Sequence, residues 1–249
     1  MNAVLTVEGL SKSFGSLKVT RDVTLELHTG ECHALIGPNG AGKTTLINLI
    51  TGILPAESGR ITLNGRDLSD LPMHQRAGAG LGRTFQITSI FPDFSALENV
   101  ALAAQSSDGR GMGFWRIAAS DSGLNAKAAD ALDMIGLGAR KDARGADMSH
   151  GEHRLLELAM AVVTNPDALL LDEPMAGLGR AESEELVDTL QSLKAQVPLL
   201  MVEHDMEAVF SMADRISVLE SGQIVAAGTP EQVRSDPQAR AAYLGEEAV

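Results

Sequence analysis

The amino-terminal part of the chain consists of short apolar and polar runs that predict strands and one helix. Val4–Leu10 and Val23–Leu27 alternate apolar with polar residues, which is typical of half-buried strands. Cys32–Ile36 is a continuous apolar run followed by glycine and proline, as expected for a short buried strand. From Thr44 onwards apolar residues recur at helical spacing, so we expect a helix soon after this third strand.

The remainder divides into a helical stretch and an alternation of helices and strands. Arg60–Leu63 predicts a strand that ends at the turn-forming pair Asn64-Gly65. We interpret residues 87–164 as a helical subdomain inserted into a core made of residues 1–86 and 165–249. From residue 152 onwards helices and strands alternate, which predicts a parallel sheet covered by helices. These elements are Glu152–Thr164, Ala168–Leu171, Ala181–Ala195 and Leu199–Val202.

Bulk composition narrows the classes of function. The 249 residues suit one α/β domain with an insertion, and an apolar fraction of 44% is enough for a buried core. The net charge of −13 disfavours nucleic-acid binding, because an acidic surface repels phosphate backbones. The single cysteine, Cys32, excludes an intrachain disulfide and suits a reducing compartment. We find no signal peptide and no apolar run near the roughly 20 residues of a membrane span, so we expect a cytoplasmic protein.

The segment GPNGAGKT lies between the third predicted strand and the first predicted helix and matches the phosphate-binding pattern G-x-x-x-x-G-K-[ST]. Its glycines permit a tight turn and a close approach to phosphates, and the helix amino terminus adds partial positive charge. We predict that Lys43 reaches the β- and γ-phosphates, that Thr44 ligates Mg²⁺, and that Thr45 bonds the α-phosphate. The predicted nucleotide-binding residues here are Gly37, Pro38, Asn39, Gly40, Ala41, Gly42, Lys43, Thr44 and Thr45.

Two carboxylates follow a buried strand, at the end where ligands of open α/β sheets bind. We predict that Asp172 holds Mg²⁺ and that Glu173 polarises the attacking water, a role worth about 10²–10⁴ in rate. Alone, such an acidic pair more often begins a helix or a loop. His204 follows another apolar strand, from which it could contact the γ-phosphate, although a lone histidine there is usually structural. Gln86, at the end of a further expected strand, is a candidate for contacting both Mg²⁺ and the attacking water.

The segment MSHGEHRLLELA opens an amphipathic helix. Locally it is a capping box, with Ser149 as the N-cap and Glu152 at the third helical position. This explains how the helix begins but not why LLLDEP follows it at this distance. In their order along the chain, the phosphate-binding loop, Gln86, this segment, LLLDEP and His204 resemble the motifs of ABC ATPases, whose signature is typically LSGGQ.

The resemblance covers nearly the whole chain and implies an α/β fold with a P-loop NTPase core. That core is a RecA-like parallel sheet with flanking helices, an antiparallel β edge and an inserted helical subdomain. The resemblance implies that Phe14 stacks on adenine and that ATP and Mg²⁺ are the cofactors. It also implies that two cassettes close on two ATP, each contacting the other's nucleotide through Ser149, Gly151 and Glu152. The residues implied to be catalytic are Lys43, Gln86, Glu173 and His204.

Within this family the chain is similar to the branched-chain amino-acid uptake cassettes, in segments such as GRTFQITSIFPDFSALENV and the terminal AYLGE. The implied partners are a second cassette, identical or not, permease subunits in the membrane and, indirectly, a solute-binding protein. The chain would then be peripheral on the inner face of the membrane. A urea-type importer and the lipopolysaccharide-export ATPase are alternatives, and Gly179 argues against the exporter. A soluble ABC ATPase is a further alternative, but such proteins usually carry two cassettes or a long coiled coil.

Two departures from the family pattern bear on the predicted site. Glu152 replaces the usual Gln and so places a carboxylate near an anion site. Gly179 replaces an Asp of the loop after Glu173, and glycine cannot supply the cross-subunit contact of that carboxylate.

The stretch of residues 87–100 is more apolar than a loop requires. It places Ile90, Phe91 and Phe94 close together in sequence, and we expect them to be exposed, although such turns often bury aromatic rings. In the family the corresponding groove receives a short helix of the membrane subunit. This surface is therefore predicted to dock the permease.

Overall fold

The computed structural model describes residues 2–84, 90–107 and 121–244, and every structural statement below refers to these ranges. The strands are β1 (Ala3–Phe14), β2 (Leu17–His28), β3 (Cys32–Ile36), β4 (Ser58–Leu63), β5 (Arg66–Asp67), β6 (Leu81–Arg83), β7 (Ala168–Asp172), β8 (Leu199–Val202), β9 (Arg215–Glu220) and β10 (Gln223–Gly228). The helices are α1 (Lys43–Thr51), α2 (Met73–Gly78), α3 (Ala96–Ser107), α4 (Ser122–Met134), α5 (His150–Val162), α6 (Arg180–Lys194), α7 (Met206–Met212), α8 (Pro230–Ser235) and α9 (Pro237–Leu244).

One sheet is antiparallel, with the strand order β2-β1-β4-β5. The alternation predicted for β1 is observed, because Leu5 and Val7 are buried whereas Glu8 is exposed. Asn64 and Gly65 have φ angles of 50° and 77°, and they form the predicted tight turn between β4 and β5. This sheet is the antiparallel part expected from the sequence.

The second sheet has the order β10-β9-β3-β8-β7-β6, in which β10 is antiparallel and the other strands are parallel. Every residue of β3, β7 and β8 is buried, which explains why these strands are continuous apolar runs. Because parallel strands end at the same edge, the phosphate-binding loop after β3, Asp172 at the end of β7 and His204 after β8 lie along one edge. The topology thus collects the candidate residues.

Apolar clusters cover both faces of the parallel sheet. Leu169 and Leu171 of β7 belong to the cluster that contains residues of α3 to α7, whereas Leu170 belongs to the cluster of α1 and the antiparallel sheet. This division follows from the two-residue period of a strand. Helices α3, α4 and α5 share one apolar cluster with the parallel sheet. The boundaries of the helical subdomain, proposed at residues 86 and 164, therefore stay a prediction.

A buried histidine joins the two sheets. His33 of β3 is 1% exposed, and its Nδ1 donates to the backbone carbonyl of Glu26 in β2 at 2.8 Å. Its Nε2 accepts from the hydroxyl of Ser217 in β9 at 2.9 Å. Burial lowers the pKa of His33, so the folded chain favours the neutral ring.

The predicted strands and helices are present in the described parts of the chain: β3 and β8 have the predicted bounds, and the others differ at one end or both. The strand expected to end at Gln86 is β6, whose predicted end lies outside the described residues. The elements without a prediction are α2, α7, α8, α9, β5, β9 and β10. These helices are only six to eight residues long, which is too short to show a clear helical period. None of the helices described combines the length and apolar character that crossing a bilayer requires.

Candidate nucleotide-binding site

The loop between β3 and α1 is shaped by close backbone contacts with neighbouring strands. Gly42 has a φ angle of 105°, and a Cβ at this position would lie 2.6 Å from the carbonyl oxygen of Val19 in β2. A larger residue would therefore force a backbone shift. The carbonyl of the buried Ala41 accepts the N–H of Gly222, in the turn between β9 and β10, at 2.9 Å. Both sheets thus hold this loop in place.

The outer part of the loop is open to a ligand. Gly40 has a φ angle of 78°, and a Cβ there would meet no atom within 4 Å, so a side chain would enter the space above the loop. The Lys43 Nζ donates to the carbonyl oxygens of Gly37 at 2.6 Å and Pro38 at 3.0 Å. An open backbone loop with an ammonium group at a helix amino terminus suits the phosphates of a nucleotide.

Asp172 is a buried carboxylate with one uncommitted oxygen. The Nη2 of Arg83 donates to Asp172 Oδ2 at 3.0 Å, while Asp172 Oδ1 is buried without a hydrogen-bond partner in the described parts of the chain. Burial raises the pKa of Asp172, and the positive charge of Arg83 acts in the opposite direction. A buried carboxylate oxygen is costly unless it is paired, so Oδ1 fits a role as acceptor for a hydrated cation.

Glu173 and His204 follow the neighbouring strands β7 and β8. Glu173 has a φ angle of 51°, a left-handed conformation that costs a non-glycine residue about 1–3 kcal/mol. Its N–H donates to the carbonyl of Val202 in β8 at 2.9 Å. The His204 side chain is 65% exposed. Strain of this kind concentrates at functional sites, which favours a functional role for Glu173.

Glu203 links the loops that carry these two residues, and the sequence did not single it out. Its side chain is buried, Oε1 accepts the N–H of Met175 at 2.7 Å, and Oε2 accepts the N–H of His204 at 3.0 Å. Burial raises the pKa of Glu203, and the hydrogen bonds from these N–H donors lower it in part. The only signal in the sequence was an acid between an apolar strand and His204.

The capping box predicted at the start of α5 is observed. Ser149 Oγ accepts the Glu152 N–H at 3.1 Å, and Glu152 Oε2 accepts the Ser149 N–H at 2.8 Å. The Nε of Arg140 donates to Glu152 Oε1 at 2.7 Å, and this hydrogen bond lowers the pKa of Glu152. The carboxylate that departs from the family pattern is therefore partly neutralised by Arg140.

Glu182 joins the start of α5 to the loop after Glu173. Its Oε1 accepts the N–H of Gly151 at 3.3 Å, and its Oε2 accepts the N–H of Gly179 at 3.0 Å. A Cβ at Gly151 would lie 2.8 Å from Glu182 Oε1, so the glycine allows this approach. Sequence analysis missed Glu182, although its place in the first turn of α6 is typical of a capping acid.

The remaining predicted contact residues are Phe14, Thr44, Thr45 and Gln86. Phe14 is 49% exposed at the end of β1, with Lys12 Nζ 5.7 Å from its ring centroid, so it is not a core residue. Thr44 is exposed and Thr45 half-buried in the first turn of α1, where N–H groups lack intrahelical partners. Gln86 lies outside the described residues, and its contacts stay a prediction.

The expectation for the apolar stretch before α3 is only partly confirmed. Phe91 is 44% exposed and stacks on Phe94, with ring centroids 5.3 Å apart. Ile90 and Phe94 are half-buried, so the expectation that they are exposed is wrong. Ile90 packs against the apolar cluster of the α3 to α7 side, where its Cγ2 would be 2.9 Å from a Cβ at Gly145. Residues 87–89 lie outside the described parts of the chain.

Comparison with known proteins decides the family. Residues 20–176 match the family described as ABC transporter. The chain belongs to the ABC transporter ATP-binding family. This cassette is 40% identical to the high-affinity branched-chain amino acid transport ATP-binding protein LivG of Salmonella typhimurium, over 98% of both chains. It is 36% identical to BraF of Pseudomonas aeruginosa, which carries the same description, and 34% identical to the lipopolysaccharide export system ATP-binding protein LptB of Haemophilus influenzae, each over 98% of both chains.

Solved structures agree with this assignment. The ADP conformation of MJ1267, an ATP-binding cassette of an ABC transporter, has a TM-score of 0.88 at 29% identity and covers 98% of this cassette and 100% of that chain. A nucleotide-free cassette from an ABC transporter has a TM-score of 0.85 at 29% identity, over 96% and 97% of the two chains. The predicted fold class and the predicted identity as a transporter ATPase that binds ATP are confirmed. A second family, described as branched-chain amino acid ATP-binding cassette transporter, matches residues 223–249.

Proposed function

We propose that this cassette hydrolyses ATP to drive an importer of branched-chain or other small amino acids. The observation that carries the choice of cargo is the match of residues 223–249, which include β10, α8 and α9, to the family described as branched-chain amino acid ATP-binding cassette transporter. The identities of 40% to LivG and 36% to BraF support it. Lipopolysaccharide export is the second candidate, since LptB is 34% identical over almost the same length.

The proposed chemistry uses the edge where β3, β7 and β8 end. Backbone N–H groups of the loop and the Lys43 ammonium hold the phosphates, while Thr44 and Thr45 supply hydroxyls. Glu173 orients the attacking water and accepts its proton, and His204 donates a hydrogen bond to the γ-phosphate. Catalysis of this kind depends on positioning and on charge neutralisation rather than on covalent chemistry. Phe14, exposed at the end of β1, stacks on adenine.

The residues present fit Mg²⁺. The buried Asp172 Oδ1 has no hydrogen-bond partner among the residues described, and Thr44, with its hydroxyl, follows Lys43 in the first turn of α1. Mg²⁺ is usually bound by one or two carboxylates plus phosphates and water, and Asp172 offers such a carboxylate. When bound, the ion would neutralise charge that develops on the phosphates. We propose Thr44, Asp172 and Gln86 as the residues around it.

The site is proposed to be completed by a second cassette. Ser149 and Gly151 lie at the amino terminus of α5, whose N–H groups and partial charge favour an anion. In the proposed dimer they contact the ATP held by the other chain, with Glu152 beside them. Permease subunits would dock near Phe91 and Phe94 and hold the cassette on the inner face of the membrane. A solute-binding protein would act through those permeases.

Replacement of Glu173 by Gln tests the proposed hydrolysis. We expect MgATP binding within about threefold of the parent, turnover reduced by about 10² or more, and an ATP-dependent dimer in sedimentation. Glu185→Gln, an exposed position on α6, is the matched control and should leave all three unchanged. Turnover of Glu173→Gln within threefold of the parent would remove Glu173 from the base role. In proteoliposomes with the permeases and binding protein, leucine should stimulate the ATPase; stimulation by lipopolysaccharide instead would favour export.

A further inference from the structure

Arg83 connects three elements that meet at the candidate site. It is the last residue of β6, and its side chain is 11% exposed. Its Nη1 donates to Asn48 Oδ1 at 2.8 Å and to Thr51 Oγ1 at 3.1 Å, both on α1, the helix that begins at the phosphate-binding loop. Its Nη2 donates to Asp172 Oδ2 at 3.0 Å, at the end of β7. One guanidinium therefore ties together β6, β7 and α1.

The partners of Arg83 are themselves fixed. The Thr51 hydroxyl donates to the carbonyl of Ile47 at 2.8 Å, so its oxygen is oriented to accept from Arg83. Asp172 has no exposed side-chain surface; its Oδ2 accepts from Arg83, and its Oδ1 has no hydrogen-bond partner among the described residues. The rigid planar fork of arginine serves acceptors in different directions at once, whereas a lysine ammonium is a compact charge on a flexible stem.

We propose that Arg83 is a positioning residue for Asp172: it holds Oδ2 and so keeps Oδ1 available for the water shell of the Mg²⁺ that accompanies ATP. Through Asn48 and Thr51 it also aligns that carboxylate with the helix that carries Lys43 and Thr44. Hydrogen bonds to a ligating carboxylate orient it in other metal sites, and their loss typically costs about 10–100-fold in metal affinity or activity. The proposal rests on the proposed role of Asp172 at Mg²⁺.

The chain offers a matched control for the structural effect of losing a buried arginine. Arg76 of α2 is 2% exposed and also binds α1, because its Nη1 donates to the carbonyls of Leu49 at 2.8 Å and Ile50 at 2.7 Å. Among the residues that the structure describes, its side chain bonds only backbone carbonyls of α1 and of the segment before α2. Arg76→Met should therefore lower stability without changing the part of ATP affinity that depends on Mg²⁺.

The decisive measurement is the ratio of the dissociation constants of a fluorescent ATP analogue in EDTA and in excess Mg²⁺, for the full-length chain. In Arg83→Met we expect this ratio to fall by about tenfold or more, while affinity in EDTA changes little. Arg83→Lys should fall nearly as far, because the single nitrogen of lysine does not reproduce the planar fork whose two nitrogens reach α1 and Asp172 separately. Arg76→Met should keep the parent ratio even when its melting temperature drops.

A double-mutant cycle separates this proposal from the proposed function. Asp172→Asn should itself lower the ratio, and adding Arg83→Met to it should cause no further loss, because Arg83 acts through Asp172. A parent-like ratio in Asp172→Asn would refute the metal role of Asp172. An unchanged ratio in Arg83→Met, with only a lower melting temperature, would overturn the positioning role of Arg83. If Arg83→Met does not fold, Arg83→Lys decides in the same way.

Discussion

The buried Glu203 offers the sharpest test of how this fold supports the site. Replacing it with Ala removes the acceptors of the Met175 N–H at 2.7 Å and the His204 N–H at 3.0 Å. A buried donor left without a partner costs about 1–3 kcal/mol. The Met175 N–H is buried and the His204 N–H only partly so, and the loss is therefore about 1–3 kcal/mol or more before any cavity is counted. Since a domain is stabilised by only about 5–15 kcal/mol, Glu203→Ala should unfold at markedly lower urea concentration.

Glu203→Gln is the more informative variant, because it keeps the shape and turns one acceptor into a donor. The N–H of Asp205 also donates to Glu203 Oε2, at 3.5 Å, so whichever way the amide is oriented, at least one of the three N–H groups loses its acceptor. We therefore expect a loss of about 1–3 kcal/mol in urea unfolding followed by circular dichroism. The same bonds hold the backbone beside Glu173 and His204, and kcat should therefore fall even where the chain is fully folded. Glu207→Gln, an exposed acid on α7, is the control. Stability within about 0.5 kcal/mol of the parent, together with unchanged kcat, would refute this reasoning.

Two further predictions concern the exposed ring of Phe14 and the buried ring of His33. Phe14→Ala should weaken the binding of ATP and GTP alike by about 1–3 kcal/mol with little change in kcat. Leu17, 66% exposed on the paired strand, is the control, and Leu17→Ala should leave nucleotide binding unchanged. An unchanged dissociation constant for Phe14→Ala would contradict stacking on the base. Because the pKa of His33 is lowered on folding, the unfolded chain takes up a proton below about pH 6.5 that the folded chain does not. Stability should fall as pH drops below that value, by at most about 1.4 kcal/mol per pH unit, and this contribution should vanish in His33→Gln but not in the exposed His74→Gln.

Local patterns were enough to predict the elements that carry most of the candidate site. The loop with Lys43 joins a strand to a helix within a few residues, so its shape and chemistry can be recognised from a short segment. The capping box of Ser149 and Glu152 spans only four residues, and it is observed as predicted. The buried strand that delivers Asp172 is a continuous apolar run, which marks it as central in a parallel sheet.

The groups that orient this machinery depended on the tertiary structure. Arg83 and Asp172 are 89 residues apart, Gly151 and Glu182 are 31 apart, and Met175 and Glu203 are 28 apart. Each contact exists only because β6, β7 and β8 pair side by side and because α6 packs near the start of α5. Arg83, Glu182 and Glu203 resemble ordinary surface charges in the sequence, since hydrophobic periodicity reports which face of an element is buried but not which distant polar group meets it there. Burial and strand order, which belong to the whole fold, turn these three side chains into fixed partners of the site.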